Sequence, residues 1–362
     1  MTRPDDSFSF PRTGIEVRNR SVLAAMTNQQ SNPDGTLSEQ EIEWLLRRAE
    51  GSFGIVTTAA SHVVPEGQGW DGEMGVWGDH QLPGLTRLAT EIRDRGAVSL
   101  AQIFHGGMRS PQRLTGVQPV SSSVNPTSDS DSGETRELTE TEIESLIGSF
   151  AAAAARCEKA GFDGVEIHGA HGYLICQFLG IETNRRKDRW GGSLENRARF
   201  LLEIISRIKE STSEKFTIGV RISPEYRKLG VTMEDSLSLT TLLVEAGLDF
   251  IHISCWDCFV PPAHFDDPRP ITEIFAEKIS RKVPIISAGA IWSTKQALEV
   301  IEQGADLVGV ARSGIGHANW ASNLNDPEYN PQRPPFTEEH LLSQGLSPIF
   351  VNYMRNWPGF VE

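Results

Sequence analysis

Three stretches of this chain end a helical pattern on a glycine and place an aspartate two residues later, in front of an apolar run: Glu158 to Val165, with Gly161 and Asp163; Glu245 to Ile251, with Gly247 and Asp249; and Glu302 to Val308, with Gly304 and Asp306. A glycine just past a helix adopts the left-handed conformation with no side-chain clash, and so short a turn feeds a strand parallel to the one before it. Repetition of the unit predicts a parallel sheet. Apolar runs read as strands fall at 22–25, 54–60, 98–104, 164–168, 218–223, 250–254, 284–288 and 307–311. Helical patterns separate them. After Leu138, Thr139 and Glu142 form a capping box ahead of an apolar stripe of Ile143, Leu146, Ile147 and Phe150, and Ser293 with Gln296 repeats the device.

Eight strands, each followed by a helix, close most simply into a (β/α)₈ TIM barrel of the α/β class. The rival is an open doubly wound sheet, but no Gly-x-Gly-x-x-Gly turn follows the first strand. The expectation is one domain over 1–362 with a C-terminal tail from about 340, the repeated aspartates lying on the face opposite the chemistry. Residues 110–137, after the third strand, are rich in serine, proline, asparagine and aspartate. They read as a rim loop or hairpin insertion, either a lid over the active face or a solvated surface loop.

A formal net charge of −14 offers no basic stripe to displace counterions, so nucleic acid and anionic membrane are poor partners. The first twelve residues carry no apolar signal core and no run approaches eighteen apolar residues; the chain reads as soluble and cytoplasmic. Four cysteines make no disulfide framework. Cys255 and Cys258, with His252 and His264 nearby, read as structural or incidental thiols rather than a zinc or redox pair, because Pro261-Pro262 follows where a redox motif would open a helix.

In a barrel, the carboxyl strand ends gather Ala24, Ala25, Met26, Thr27, Ala60, Gln102, His168, His171, Tyr173, Arg221, Gly289, Ala290, Ala311 and Arg312 around one mouth. Glycine-bearing turns after the last two strands present backbone N–H groups to a phosphate, with Arg312 adding charge. Gln102 can donate and accept at a pyrimidine edge, Arg221 can balance negative charge there, and small Ala25 and Ala60 leave room for a flat ring. Flavin mononucleotide (FMN) fits that set. His168 and His171 supply two hydrogen-bond donors for a developing oxyanion, with Tyr173 as a weak acid beside them. No carboxylate or thiol cluster completes a metal site around the two histidines. Trp70 and Phe104 follow strand ends and are candidates to line the substrate space.

The runs 168–178 and 183–197, the latter Thr-Asn-Arg-Arg-Lys-Asp-Arg-Trp-Gly-Gly-Ser-Leu-Glu-Asn-Arg, resemble the old yellow enzyme family of FMN-dependent NAD(P)H oxidoreductases, as do Gln102 in Ala-Gln-Ile-Phe-His-Gly-Gly, Arg221 in Gly-Val-Arg-Ile-Ser and Arg312 in Gly-Val-Ala-Arg. The resemblance implies an ene-reductase using NADPH or NADH. His168 and His171 would hold the carbonyl oxygen of an α,β-unsaturated carbonyl or nitro compound, and Thr27 would sit near the flavin C4 carbonyl. Hydride would pass from reduced flavin to the β-carbon, and Tyr173 would protonate the α-carbon. The chain departs from the pattern at Cys176, at Gly180-Ile181-Glu182, at Trp190, and at Thr27 and Gln29, where thermophilic-like members carry cysteine and tyrosine. The tail Tyr353-Met354-Arg355-Asn356-Trp357 resembles one that such relatives insert into a neighbouring subunit, which would make a homo-oligomer with Arg355 in the partner's site. The alternative is a tail packed on its own barrel. The alternatives are a dienoyl-CoA reductase-like or amine dehydrogenase-like flavoenzyme, whose iron–sulfur cysteine cluster this sequence does not show, a phosphate-binding barrel lyase or isomerase, which needs a lysine or carboxylate acid/base pair that the strand ends do not offer, and a non-catalytic flavin or steroid binder.

Overall fold

The repeated Gly-x-Asp turn has a physical purpose that pairs strands two by two. In the computed structural model, which describes residues 2–362, Gly161, Gly247 and Gly304 take φ of +94°, +67° and +107°. The aspartate that follows then reaches sideways to the strand before it: Asp163 accepts from the Ser99 N–H at 2.7 Å, Asp249 from that of Ile218 at 2.7 Å and Asp306 from that of Ile285 at 2.9 Å. Each carboxylate satisfies a strand-opening donor that the ladder leaves unpaired. All three lie at the amino ends of the strands.

Those strands are β1 (Ser21–Leu23), β2 (Ile55–His62), β3 (Val98–Phe104), β4 (Gly164–Gly169), β5 (Thr217–Ile222), β6 (Phe250–Ser254), β7 (Ile285–Ala288) and β8 (Leu307–Val310), each parallel to the next, with β8 returning to β1. The main crossover helices are α1 (Glu39–Glu50), α2 (Leu82–Asp94), α3 (Glu140–Ala160), α4 (Leu194–Ser211), α5 (Met233–Glu245), α6 (Ile271–Ile279) and α7 (Thr294–Glu302), with a short α8 (Arg312–Gly316) after β8. Both capping boxes form, at Thr139 with Glu142 and at Ser293 with Gln296. This is a closed (β/α)₈ barrel. No helix is long and apolar enough to cross a membrane among the described residues.

The barrel interior is sealed at its amino end. Residues Phe8–Ser9 pair antiparallel with Glu16–Val17 and drive Phe10 into a cluster with Val22, Ile55, Val98, Leu100, Phe250, Ile286 and Leu307. Phe250 fits because residue 219 is glycine: a Cβ there would stand 2.1 Å from the ring. A larger residue would evict the plug.

β1 and β8 stop short of the carboxyl ends that the sequence predicts, and both ends matter. β1 stops at Leu23 because the Ala25 carbonyl turns inward to accept from Arg221 Nη1 at 3.0 Å. β8 stops at Val310, leaving Ala311 as the residue before α8. In β2, one extra residue bulges between Thr57 and Ala60, and the Thr58 hydroxyl accepts the Gln102 N–H at 3.2 Å that the bulge frees.

The insertion after β3 is ordered but not a simple hairpin. Val120–Ser121 pairs parallel with Arg136–Glu137, and an antiparallel bridge joins Pro126 to Glu134. It packs on the segment after β4: Asn125 Nδ2 donates to the Thr183 carbonyl at 3.0 Å, and Arg186 donates to the carbonyls of Ser122 and Leu138. None of residues 110–137 lines the cavity described below, so the lid alternative does not hold in this structure. The chain ends in α9 (Glu338–Ser343) and α10 (Pro348–Met354), whose Phe350 lies edge-on to Trp44 of α1 at 5.2 Å.

Candidate active site

A cavity of about 580 Å³ opens at the carboxyl ends of the strands, within the range of cofactor and drug-sized sites. Its floor is a polar bed built inside the barrel. Gln102 Nε2 donates to Glu166 Oε1 at 2.6 Å, and His252 Nδ1 meets Glu166 Oε2 at 2.7 Å. Burial works to raise the Glu166 carboxyl, but His252, Arg221 and Gln102 together outweigh it and hold the group below the usual carboxylate range. His252 is pushed down by burial, so the pair is a carboxylate accepting from a neutral imidazole. With one amide hydrogen committed, Gln102 keeps its oxygen and second N–H for the cavity. Arg221, from β5, is tied by Nη1 to the Ala25 carbonyl and by Nη2 to Ser254 Oγ at 3.0 Å, while its buried Nε has no partner.

One wall carries the two imidazoles and the phenol. His168 is the penultimate residue of β4 and His171 follows in a turn, the ring centroids 4.9 Å apart and nearly perpendicular. His171 has φ of +59°, a conformation that costs a non-glycine residue about 1 kcal/mol or more. Its N–H donates to Ser223 Oγ at 3.1 Å, and its carbonyl accepts from Arg109 Nη1 at 2.8 Å. Burial first, then the neighbouring His171 for His168 and Arg221 for His171, pulls both histidines well below their ordinary value, so both are neutral. The hydrogen-bond network assigns their tautomers. His168 Nδ1 accepts from the Ala170 N–H at 3.4 Å, which leaves the proton on Nε2. Ser254 Oγ accepts from Arg221 and stands 2.8 Å from His171 Nε2; in the tautomer that carries the proton on Nδ1, the serine donates its hydrogen to Nε2 and His171 Nδ1–H is left for the cavity. Tyr173 lies 5.1 Å from the His168 ring, and burial pushes its hydroxyl up to about 12. It is a protonated phenol at neutral pH.

The opposite wall is the turn after β7. Gly289 has φ of +147°, and a Cβ there would meet the Cys255 carbonyl at 2.8 Å, so only glycine allows this close approach. The N–H groups of Gly289, Ala290 and Ile291 meet no acceptor among the described residues. Ala290, at φ of +57°, joins Gly289 in this cradle, with Ala311 and Arg312 beside it. The Arg312 guanidinium lies 4.9 Å above the Trp256 ring. Cys258 Sγ donates to the Gly289 carbonyl, and burial pushes the Cys258 thiol up to about 12 and the Cys255 thiol well above its ordinary value. These are thiols rather than thiolates.

Of the residues singled out in the sequence, Ala25, Met26, Thr27, Ala60, Trp70, Gln102, His168, His171, Tyr173, Arg221, Gly289, Ala290, Ala311 and Arg312 all line this one cavity. Three do not. Ala24 is buried in the barrel seam, its N–H bonded to the Val310 carbonyl at 2.9 Å. Phe104 is fully buried beneath Trp70 and Tyr173, at 5.3 and 5.0 Å, and shapes the wall without facing the space. Arg355 pairs with Glu338 at 2.7 Å within its own chain, whereas its neighbours Tyr353, Met354 and Trp357 line the cavity. Sequence reading passed over Arg109, Glu166 and Ser254, and weighed His252 only as a neighbour of Cys255 and Cys258. Glu166 carried a usable signal, since a lone carboxylate in an apolar buried strand demands a partner; Arg109, in a short turn five residues beyond β3, carried none.

These residues fit a flavin mononucleotide: a phosphate cradle of unpartnered N–H groups, a buried guanidinium with a spare donor, and an amide offering both a donor and an acceptor. Fold and site define a flavin-nucleotide-binding (β/α)₈ barrel. A family model described as the NADH:flavin oxidoreductase / NADH oxidase family matches residues 13–330, and the chain belongs to that family, the old yellow enzyme family. It is 39% identical over 329 residues to the probable NADH-dependent flavin oxidoreductase YqiG of Bacillus subtilis (strain 168), covering 89% of this chain and 87% of that one. It is 36% identical to the NADH oxidase of Thermoanaerobacter brockii, covering 91% of this chain but spanning only 52% of that protein. Among solved structures, the old yellow enzyme homologue from Zymomonas mobilis superposes with a TM-score of 0.79 at 25% identity, covering 94% of this chain and 96% of that one.

Proposed function

We propose that this FMN-dependent NAD(P)H oxidoreductase reduces the activated C=C bond of α,β-unsaturated carbonyl or nitro compounds. One observation carries the reading: two neutral imidazoles stand beside a buried protonated phenol in the wall of a cavity whose floor suits a flavin. Bound flavin would accept hydride from the nicotinamide and pass it to the alkene. His168 Nε2–H and His171 Nδ1–H hold the substrate oxygen and stabilise the enolate-like charge that grows there, donors that need no reorganisation as the charge develops. Tyr173 gives its proton to the α-carbon. A neutral pair of imidazoles suits this task better than imidazolium, because it strengthens with the developing charge without protonating the oxygen outright.

The test is an anaerobic two-step experiment on the purified protein. It is expected to be yellow, to be bleached by NADH or NADPH, and to regain colour on adding 2-cyclohexen-1-one. A colourless protein that FMN cannot reconstitute, or a bleached one that no enone or nitroalkene reoxidises, overturns the proposal.

A further inference from the structure

Among the described residues, three arginines and no carboxylate line the cavity, although the chain as a whole is strongly acidic. Two of them have assignments above. Arg312 stands by the phosphate cradle, and Arg221 lies on the floor beside Gln102. Arg109 has none. It closes the single turn Gly107–Arg109 after β3 and is exposed, with its guanidinium carbon 4.5 Å above the Tyr173 ring. One of its five donors is used, Nη1 on the His171 carbonyl, and it forms no ion pair among the described residues. An unpaired guanidinium against the wall that holds the substrate oxygen is a fork waiting for a planar anion.

Resting on the function proposed above, we propose that Arg109 is a specificity-determining residue that receives a carboxylate on the substrate, so that the preferred substrates are activated alkenes bearing a carboxylate besides the group held by His168 and His171. The geometry places the anion's site next to the proton donor. A carboxylate on Arg109 lies over or beside the Tyr173 ring, which aligns the α-carbon with the phenol instead of leaving orientation to the two imidazoles alone. Recognition makes and breaks no covalent bond. The rival occupant of the same cation is a phosphate of the nicotinamide reductant, and a third reading is that Arg109 only pins the His171 carbonyl.

Two matched pairs separate these on the holoenzyme. One is turned over: trans-3-benzoylacrylate against its methyl ester. The other is a dead-end pair, 4-hydroxybenzoate against its methyl ester, with binding read from flavin absorbance. For an exposed charge-assisted contact, the acid is expected to be favoured over the ester by about tenfold in both pairs. Arg109→Gln should erase that preference, Arg109→Lys should keep part of it, and added salt should weaken it in the unmodified protein. An acid-to-ester ratio unchanged by Arg109→Gln overturns the inference, whether both ligands weaken equally, as pinning predicts, or only NADH binding weakens, as a reductant site predicts. If the glutamine variant does not fold, absence of any salt-sensitive acid preference in the unmodified holoenzyme does the same. Failure of the function itself looks different: neither acid nor ester reoxidises the reduced protein.

Discussion

Ser254 sits between Arg221 Nη2 at 3.0 Å and His171 Nε2 at 2.8 Å, and replacing it with alanine isolates the step that sets the His171 tautomer. Arg221 keeps its bond to the Ala25 carbonyl, and His171 keeps its backbone held by Ser223 and Arg109. What disappears is the hydroxyl that donates to Nε2 and so reserves Nδ1–H for the substrate oxygen. A hydrogen bond between neutral groups is worth about 0.5–1.5 kcal/mol net, so the bias toward the productive tautomer drops by roughly 2- to 13-fold. Deleting the donor altogether, as in His171→Ala, is worth about 10²–10³ in rate. Ser254→Ala should therefore weaken binding of a phenolic ligand and slow the alkene half-reaction by roughly 2- to 13-fold. Ser254→Thr, which keeps the hydroxyl, should restore most of both. Absorbance titration and stopped-flow reoxidation read the two quantities on the same sample. A Ser254→Ala loss as large as that of His171→Ala would mean the serine contacts the ligand directly, and no loss at all would mean the tautomer is set elsewhere; either refutes the network as drawn.

Tyr173→Phe should slow reoxidation by an enone far more than reduction by NAD(P)H, by about 10²-fold or more for loss of a positioned acid; equal losses in the two halves would remove the phenol from the mechanism. His105 is almost fully buried, its Nδ1 accepting from the Gly107 N–H and its Nε2 without a partner, and burial lowers it to about 3. The unfolded chain then binds a proton below about pH 6.5 that the folded one refuses, so this stability is whole above pH 6.5 and drains as pH falls toward 3, by about 1.4 kcal/mol per pH unit for this residue. Guanidinium melts of the protein and of His105→Gln between pH 7.5 and 5 should show a shallower slope in the variant; identical slopes count against a buried neutral imidazole. Phe250→Ala, which empties the plug at the amino end, should cost about 3–5 kcal/mol in denaturant unfolding while leaving the flavin spectrum in place, and a cost under about 1 kcal/mol would mean the barrel interior is not packed as described.

The chain's own order of residues determined the barrel. Helix caps at Thr139 and Ser293, helix-ending glycines at 161, 247 and 304, and eight apolar runs are local instructions, because backbone dihedrals and burial of one face depend on residues within a few positions of each other. Strand-end residues were legible for the same reason: in a parallel barrel every carboxyl end points to one mouth, so His168, Arg221 and Gln102 had to meet. Ring closure and strand stagger decided the rest. Only they bring Glu166 of β4 between Gln102 of β3 and His252 of β6, and Ser254 between Arg221 and His171. Arg109 acquires its meaning from a tyrosine 64 positions away in sequence, over which a turn happens to fold it. Phe104 and Arg355 show the converse: right type, right neighbourhood in sequence, but one lies beneath its neighbours' rings and the other turns to Glu338. Side-chain partners across a closed sheet are fixed by geometry that no local pattern encodes, and the chemistry of this site lies in those partners.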